Sequence, residues 1–122
     1  LPQQAAKDRA VLLSSLSLLA FSALSTIALV GWFHNNPSPW NWKSVLTIGC
    51  TVLAFTTSRL VWSAPSRAHA IMGAAIMLVS LARVGPPAEW TAMTLVLFAL
   101  TLALMAPLGH AAMLLGDEPQ RR

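Results

Sequence analysis

The side chains best suited to chemistry in this 122-residue chain are two histidines, His69 and His110, and a neighbouring cation and ring, Arg59 and Trp62. Two imidazoles facing each other across a helical bundle can ligate a heme iron or another metal. A guanidinium beside an indole can hold a lipid headgroup or the edge of a quinone. Each also has a plainer role. Histidines at helix ends contact headgroups or backbone carbonyls, and no Asp or Glu lies on the helices to orient either ring. Arg59, near the end of an apolar run, can snorkel to the lipid phosphates. His34 falls at the opposite end and joins neither histidine.

Other chemistry is poorly supplied. Met72, Met77, Met93, Met105 and Met113 are spread out and suit adaptable packing better than metal capture. Cys50 is the single cysteine, so neither an intrachain disulfide nor a CxxC site is available. There is no HExxH, no glycine-rich phosphate loop and no Ser/His/Asp set with an acid in an apolar run. All four acids, Asp8, Glu89, Asp117 and Glu118, lie outside the apolar runs. Cation-coupled transport normally uses carboxylates at membrane depth, and no filter-like glycine-rich segment substitutes for them. The sequence argues against an enzyme and against a self-sufficient cation exchanger.

The elements that carry these residues are those of a membrane protein. The chain is 56% hydrophobic and 10% charged, against about a quarter charged in soluble domains. Four spans are expected in a single all-α domain, a small polytopic bundle: 10–33, 44–64, 68–83 and 90–115, with polar tails 1–9 and 116–122. About 20 apolar residues cross a bilayer, which leaves 68–83 the shortest span. The first run is too long for the apolar core of a signal peptide and is read as a retained helix. It has two sides. Leu12, Leu13, Leu16, Leu19, Leu24, Ile27 and Val30 fall on one, and Ser14, Ser15, Ser17, Ser22, Ser25, Thr26 and Ala28 on the other. Leucine gains nothing by hiding from lipid, whereas small hydroxylated residues permit close helix contact. The Ser14/Ser17/Ser25/Ala28 face should therefore meet protein, either within the bundle or on another subunit. Ala70 and Ala74, with Gly73 beside them, offer a second close-contact face. Pro107 should disturb the last helix at the carbonyl of Ala103.

Charge sets the orientation. Four crossings place Lys7, Arg9, Arg59, Arg67, Arg121 and Arg122 on one side, and Lys43 and Arg83 on the other. The richer side should be cytoplasmic, with both termini. Trp40, Trp42 and Trp90 then line the outer interface, with Trp32, and Trp62 the inner one. The basic residues form no stripe that could track nucleic-acid phosphates.

The turn "PSRAHA" (65–70), an Ala/Gly-rich span, and a last span ending "LMAPLGHAAM" (104–113) resemble the small G subunit of the multisubunit Mrp-type sodium/proton antiporters; the related F subunit has a similar basic turn. The resemblance covers about residues 45–116. Arg67, His69, Ala70, Pro107 and His110 occupy the matching positions. An extra helix precedes the three typical of that family, and its Arg-x-Pro-Asp stretch has no counterpart here. The resemblance implies a scaffold subunit of an ion-transport assembly in which other chains carry the ions.

The expectation is a non-catalytic accessory subunit of a bacterial inner-membrane complex, a cation/proton antiporter or a respiratory or transport assembly, with lipid and other integral subunits as partners and no cofactor. The alternative is a small electron-transfer subunit binding heme b or quinone through His69 and His110.

Overall fold

The computed structural model describes residues 2–84 and 92–115. Four helices account for nearly all of them: α1 (Pro2–Asn35), α2 (Trp42–Ser63), α3 (Arg67–Ser80) and α4 (Ala92–Leu114). No strand occurs among the described residues. Three of the helices are long and apolar enough to cross a membrane; α3 is the exception.

Helix α1 begins at Pro2, where a missing N–H costs nothing. Residues 2–9 therefore continue the helix beyond the expected span, and Gln4 Nε2 donates to Asp8 Oδ1 one turn on, at 3.1 Å. Helix α2 starts at a capping box. Asn41 Oδ1 accepts from the Ser44 N–H at 2.9 Å, and Ser44 Oγ accepts from the Asn41 N–H at 3.0 Å. Helix α3 has 14 residues, about 21 Å at the α-helical rise. It tightens into a 3₁₀ turn, Leu81–Val84, whose four residues add about 8 Å. The pair reaches about the 30 Å of a hydrocarbon core, which the α-helix alone does not. Helix α4 runs unbroken through Pro107.

The helices form a ring in which α1 packs on α2 and α4, and α3 packs on the same two. Neighbours are antiparallel. Ser15 Oγ donates to the Ser58 carbonyl and Ser22 Oγ to the Thr51 carbonyl, both at 3.2 Å, so seven residues up α1 match seven back along α2. Ser14 Oγ donates to the Pro107 carbonyl of α4 at 3.1 Å. Thr57 Oγ1 reaches Met72 Sδ between α2 and α3 at 3.7 Å. The start of α1, the 64–66 connector and the end of α4 consequently share one end of the bundle.

Small residues bring the helices together. Ser14, Ser15, Ser17, Ser22 and Ser25 are buried, while Leu12, Leu13, Leu16, Leu19, Leu24, Ile27 and Val30 are exposed. The buried serines pack within the chain's own bundle, against α2 and α4. Thr26 and Ala28 depart from the stripe and are exposed. Thr26 returns its hydroxyl to the Ser22 carbonyl at 2.8 Å and needs no neighbour. Ala28 borders two gaps, one toward α2 and one toward α4, where the ring loosens.

On the short diagonal, Gly73 of α3 meets Leu18 of α1 and Leu108 of α4. A Cβ at Gly73 would lie 3.0 Å from Leu18 Cδ1 and 3.1 Å from Leu108 Cδ2. Both leucines are fully buried, as are Ala70 and Met77. Among the described residues no buried side-chain nitrogen or oxygen lacks a partner.

Candidate functional site

Three residues of the basic turn each finish a different helix. Ser66 has extended backbone and caps α3: its Oγ accepts the His69 N–H at 3.2 Å. His69 Nδ1 lies 2.7 Å from the carbonyl of Ala64, the C-cap of α2. A carbonyl only accepts, so Nδ1 carries the proton in this bond. Arg67 Nε donates to the Ala112 carbonyl at 3.0 Å. That carbonyl belongs to the last turn of α4, where the helix supplies no partner and where positive charge complements the helix dipole. Satisfying these groups matters more beside hydrocarbon, where water is scarce. The turn thus ties α2, α3 and α4 together at one end. Ser66 stands immediately before the helix, the position where serine is an N-terminus signal. The carbonyls that His69 and Arg67 reach were not legible in the sequence, because they depend on how the ends meet.

The histidines share this end, but in different settings. His69 is half-buried and held by Ala64, whereas His110 is exposed on α4. Around it α4 buries Leu108 and Ala111, and Leu115 just past the helix is buried too. Neither histidine borders any of three concavities among the described residues, of 190, 560 and 20 Å³. Among the described residues no three His, Cys, Asp or Glu side chains gather to hold a metal. No protein family, curated protein or solved structure matches this chain.

Arg59 and Trp62 stand in a different arrangement. They border a groove of 560 Å³ between α1 and α2, walled by Leu12, Leu16, Leu19 and Phe55. Arg59 is exposed. No carboxylate among the described residues pairs with it. Ser15 and Ser58 form the floor, where their hydrogen bond holds the two backbones close while the larger side chains rise on either side. The sequence paired Arg59 with Trp62 by spacing alone; the walls come from the α1–α2 register.

The opposite end carries the aromatic residues. Trp32 Nε1 donates to the Pro39 carbonyl at 2.7 Å, and Asn36 Nδ2 to the Trp32 carbonyl at 2.8 Å. Phe33 and Trp40 meet edge to face at 5.0 Å. Lys43 Nζ lies 5.7 Å from the centre of the Trp42 ring. Trp40 and Trp42 are both well exposed, which suits rings that lie among headgroups. Trp90 lies outside the described residues, as do Glu89, Asp117, Glu118, Arg121 and Arg122.

Proposed function

We propose that this chain is a non-catalytic accessory subunit of a larger integral membrane complex. It crosses a bacterial inner membrane four times, with both termini cytoplasmic. The observation that carries this reading is where the polar groups of the helices go. Ser14, Ser15 and Ser22 bond across the bundle. Thr47, Thr51, Thr56, Ser63 and Thr101 each return a hydroxyl to a carbonyl four residues earlier. The hydroxyls are committed to holding a scaffold, and no acid stands in the spans to take up a cation or proton.

The outward surface supports a subunit role. In α4 only 17% of the most apolar stretch is buried, against 50% in α1 and 39% in α2. Leu95, Val96 and Leu102 of α4 are exposed and form the face offered to lipid or to another chain. A cation/proton antiporter is the favoured assembly. Its Arg-x-His-Ala turn and closing Pro and His correspond to Arg67, His69, Ala70, Pro107 and His110, at the end where α3 and α4 meet.

The test is purification from native membranes in mild detergent, with stoichiometry by mass spectrometry and cation flux in liposomes. A fixed ratio to other integral chains, with no flux from this chain alone, is expected. A chain that purifies alone and conducts cations unaided overturns the proposal. Cysteine labelling at Ser38 and Ser63 should mark periplasmic and cytoplasmic faces respectively. A Soret band in the purified protein would favour the electron-transfer reading instead.

A further inference from the structure

We infer that the α1–α2 groove is a binding site for one anionic phospholipid, with its acyl chain between the helices and its phosphate on Arg59. This goes beyond the subunit role and does not depend on it.

The shape fits the upper part of a chain. The walls run from Leu12 to Leu19 on α1, seven residues or about 10 Å along the axis. Leu12, Leu16, Leu19 and Phe55 make this stretch apolar, and all four are exposed along it. The volume, 560 Å³, lies within the range of about 300–1,000 Å³ usual for small-molecule sites.

The polar end is in register with a headgroup. Arg59 lies four residues before α2 ends at Ser63, about 6 Å along the axis, a distance its side chain spans. Trp62 sits beside it on the next turn, and Ser63 completes the rim. A guanidinium can meet phosphate with two parallel N–H···O bonds, and an indole suits the boundary between chain and headgroup.

Charge favours an anion over a zwitterion. Lys7, Arg9 and Arg67 lie toward the same end of the bundle, and Asp8 is the one carboxylate there among the described residues. Arg59 is the cation that also touches the apolar groove. A neutral quinone would leave that charge without a counterpart.

The full chain, in nanodiscs of phosphatidylcholine with a minor share of phosphatidylglycerol, provides the test. Lipid retained per chain is read by native mass spectrometry. The expected enrichment of phosphatidylglycerol over its bulk share is about fivefold, the worth of one cation at the membrane surface. Arg59→Gln should bring the enrichment close to unity. Arg9→Gln, an exposed cation outside the groove, should leave it largely intact. Leu16→Trp fills the groove without changing charge and should reduce retention of both lipids. Positions 9, 16 and 59 are exposed, so the variants should keep the wild-type circular dichroism. The site is disproved by unchanged enrichment in Arg59→Gln, or by an equal loss in Arg9→Gln, which would mean diffuse attraction to a basic rim. Displacement of the phospholipid by a neutral short-chain quinone at equal concentration would also overturn it.

Discussion

The packing around Gly73 yields the sharpest stability prediction, because two opposing terms can be weighed. Glycine within a helix is disfavoured by about 1 kcal/mol relative to alanine. Alanine at 73 recovers that term, and the atoms nearest its Cβ are methyl carbons of Leu18 and Leu108, at 3.0–3.1 Å. Those are the far ends of flexible side chains and can shift by a few tenths of an ångström. Gly73→Ala should therefore change stability by less than about 1 kcal/mol. Valine recovers less, roughly half, because branching at Cβ restricts it in a helix. Its two extra carbons also enter space already filled by Leu18 and Leu108, both fully buried. Overpacking of this kind costs about 1–3 kcal/mol, so Gly73→Val should be destabilised by a net ~1–2 kcal/mol. Unfolding by SDS titration in mixed micelles, followed by circular dichroism, measures both variants. Leu18→Ala removes the opposing methyls and should relieve part of the valine penalty, giving a coupling of at least ~0.5 kcal/mol in a double-mutant cycle. A valine variant as stable as wild type, or no coupling to Leu18, would refute the close approach of α1 and α3.

Two further outcomes test the seam and the core. Ser15→Ala and Ser22→Ala should each cost about 0.6 kcal/mol, the average for hydrogen bonds between membrane helices, in the same SDS titration. Thr56→Ala removes a hydroxyl bonded only within its own helix, and should cost less than either. Cys50 is buried, so maleimide should label it at least about tenfold faster in SDS than in the folded state.

Much of the fold could be read from residue type because the solvent for the outer surface is hydrocarbon. Once leucine gains nothing by burial, the small and hydroxylated side of the first helix must be the inner one. Ser14, Ser15, Ser17, Ser22 and Ser25 are buried and Leu12, Leu13, Leu16, Leu19, Leu24, Ile27 and Val30 exposed, as that argument requires. It fails at Thr26 and Ala28, where helical periodicity continues but the neighbouring helices diverge. The extent of α3 was expected as 68–83, but the tightening of its end into a 3₁₀ turn was hidden, because that turn carries no distinctive composition. The groove beside Arg59 was half legible. One helix displays the cation, the ring and Phe55, but the rest of the apolar wall belongs to a second helix, and only the antiparallel register brings Leu12 and Leu16 alongside. Gly73 and Ala70 were visible as small residues, whereas their partners Leu18 and Leu108 lie far away in sequence.

The basic turn has two explanations that act through different atoms of one ring, and an experiment can separate them. Positive charge on a connector between apolar helices needs only topology, and any cation would serve. The structure is more specific: His69 donates through Nδ1 to the Ala64 carbonyl, and Arg67 through Nε to that of Ala112. A ligand, a metal or a relayed proton would instead engage the other ring nitrogen, Nε2. Asparagine places its amide nitrogen near the position of Nδ1, and glutamine places its own near that of Nε2. If the ring serves to finish α2, His69→Asn should lie within about 0.5 kcal/mol of wild type. His69→Ala should then lose about 1–2 kcal/mol, the cost of leaving a carbonyl unpaired at the helix end. His69→Gln should resemble alanine. The SDS titration ranks the three. Should asparagine fall with alanine while glutamine preserves wild-type stability, the Nδ1 bond is not what holds this turn, and Nε2 becomes the atom to pursue.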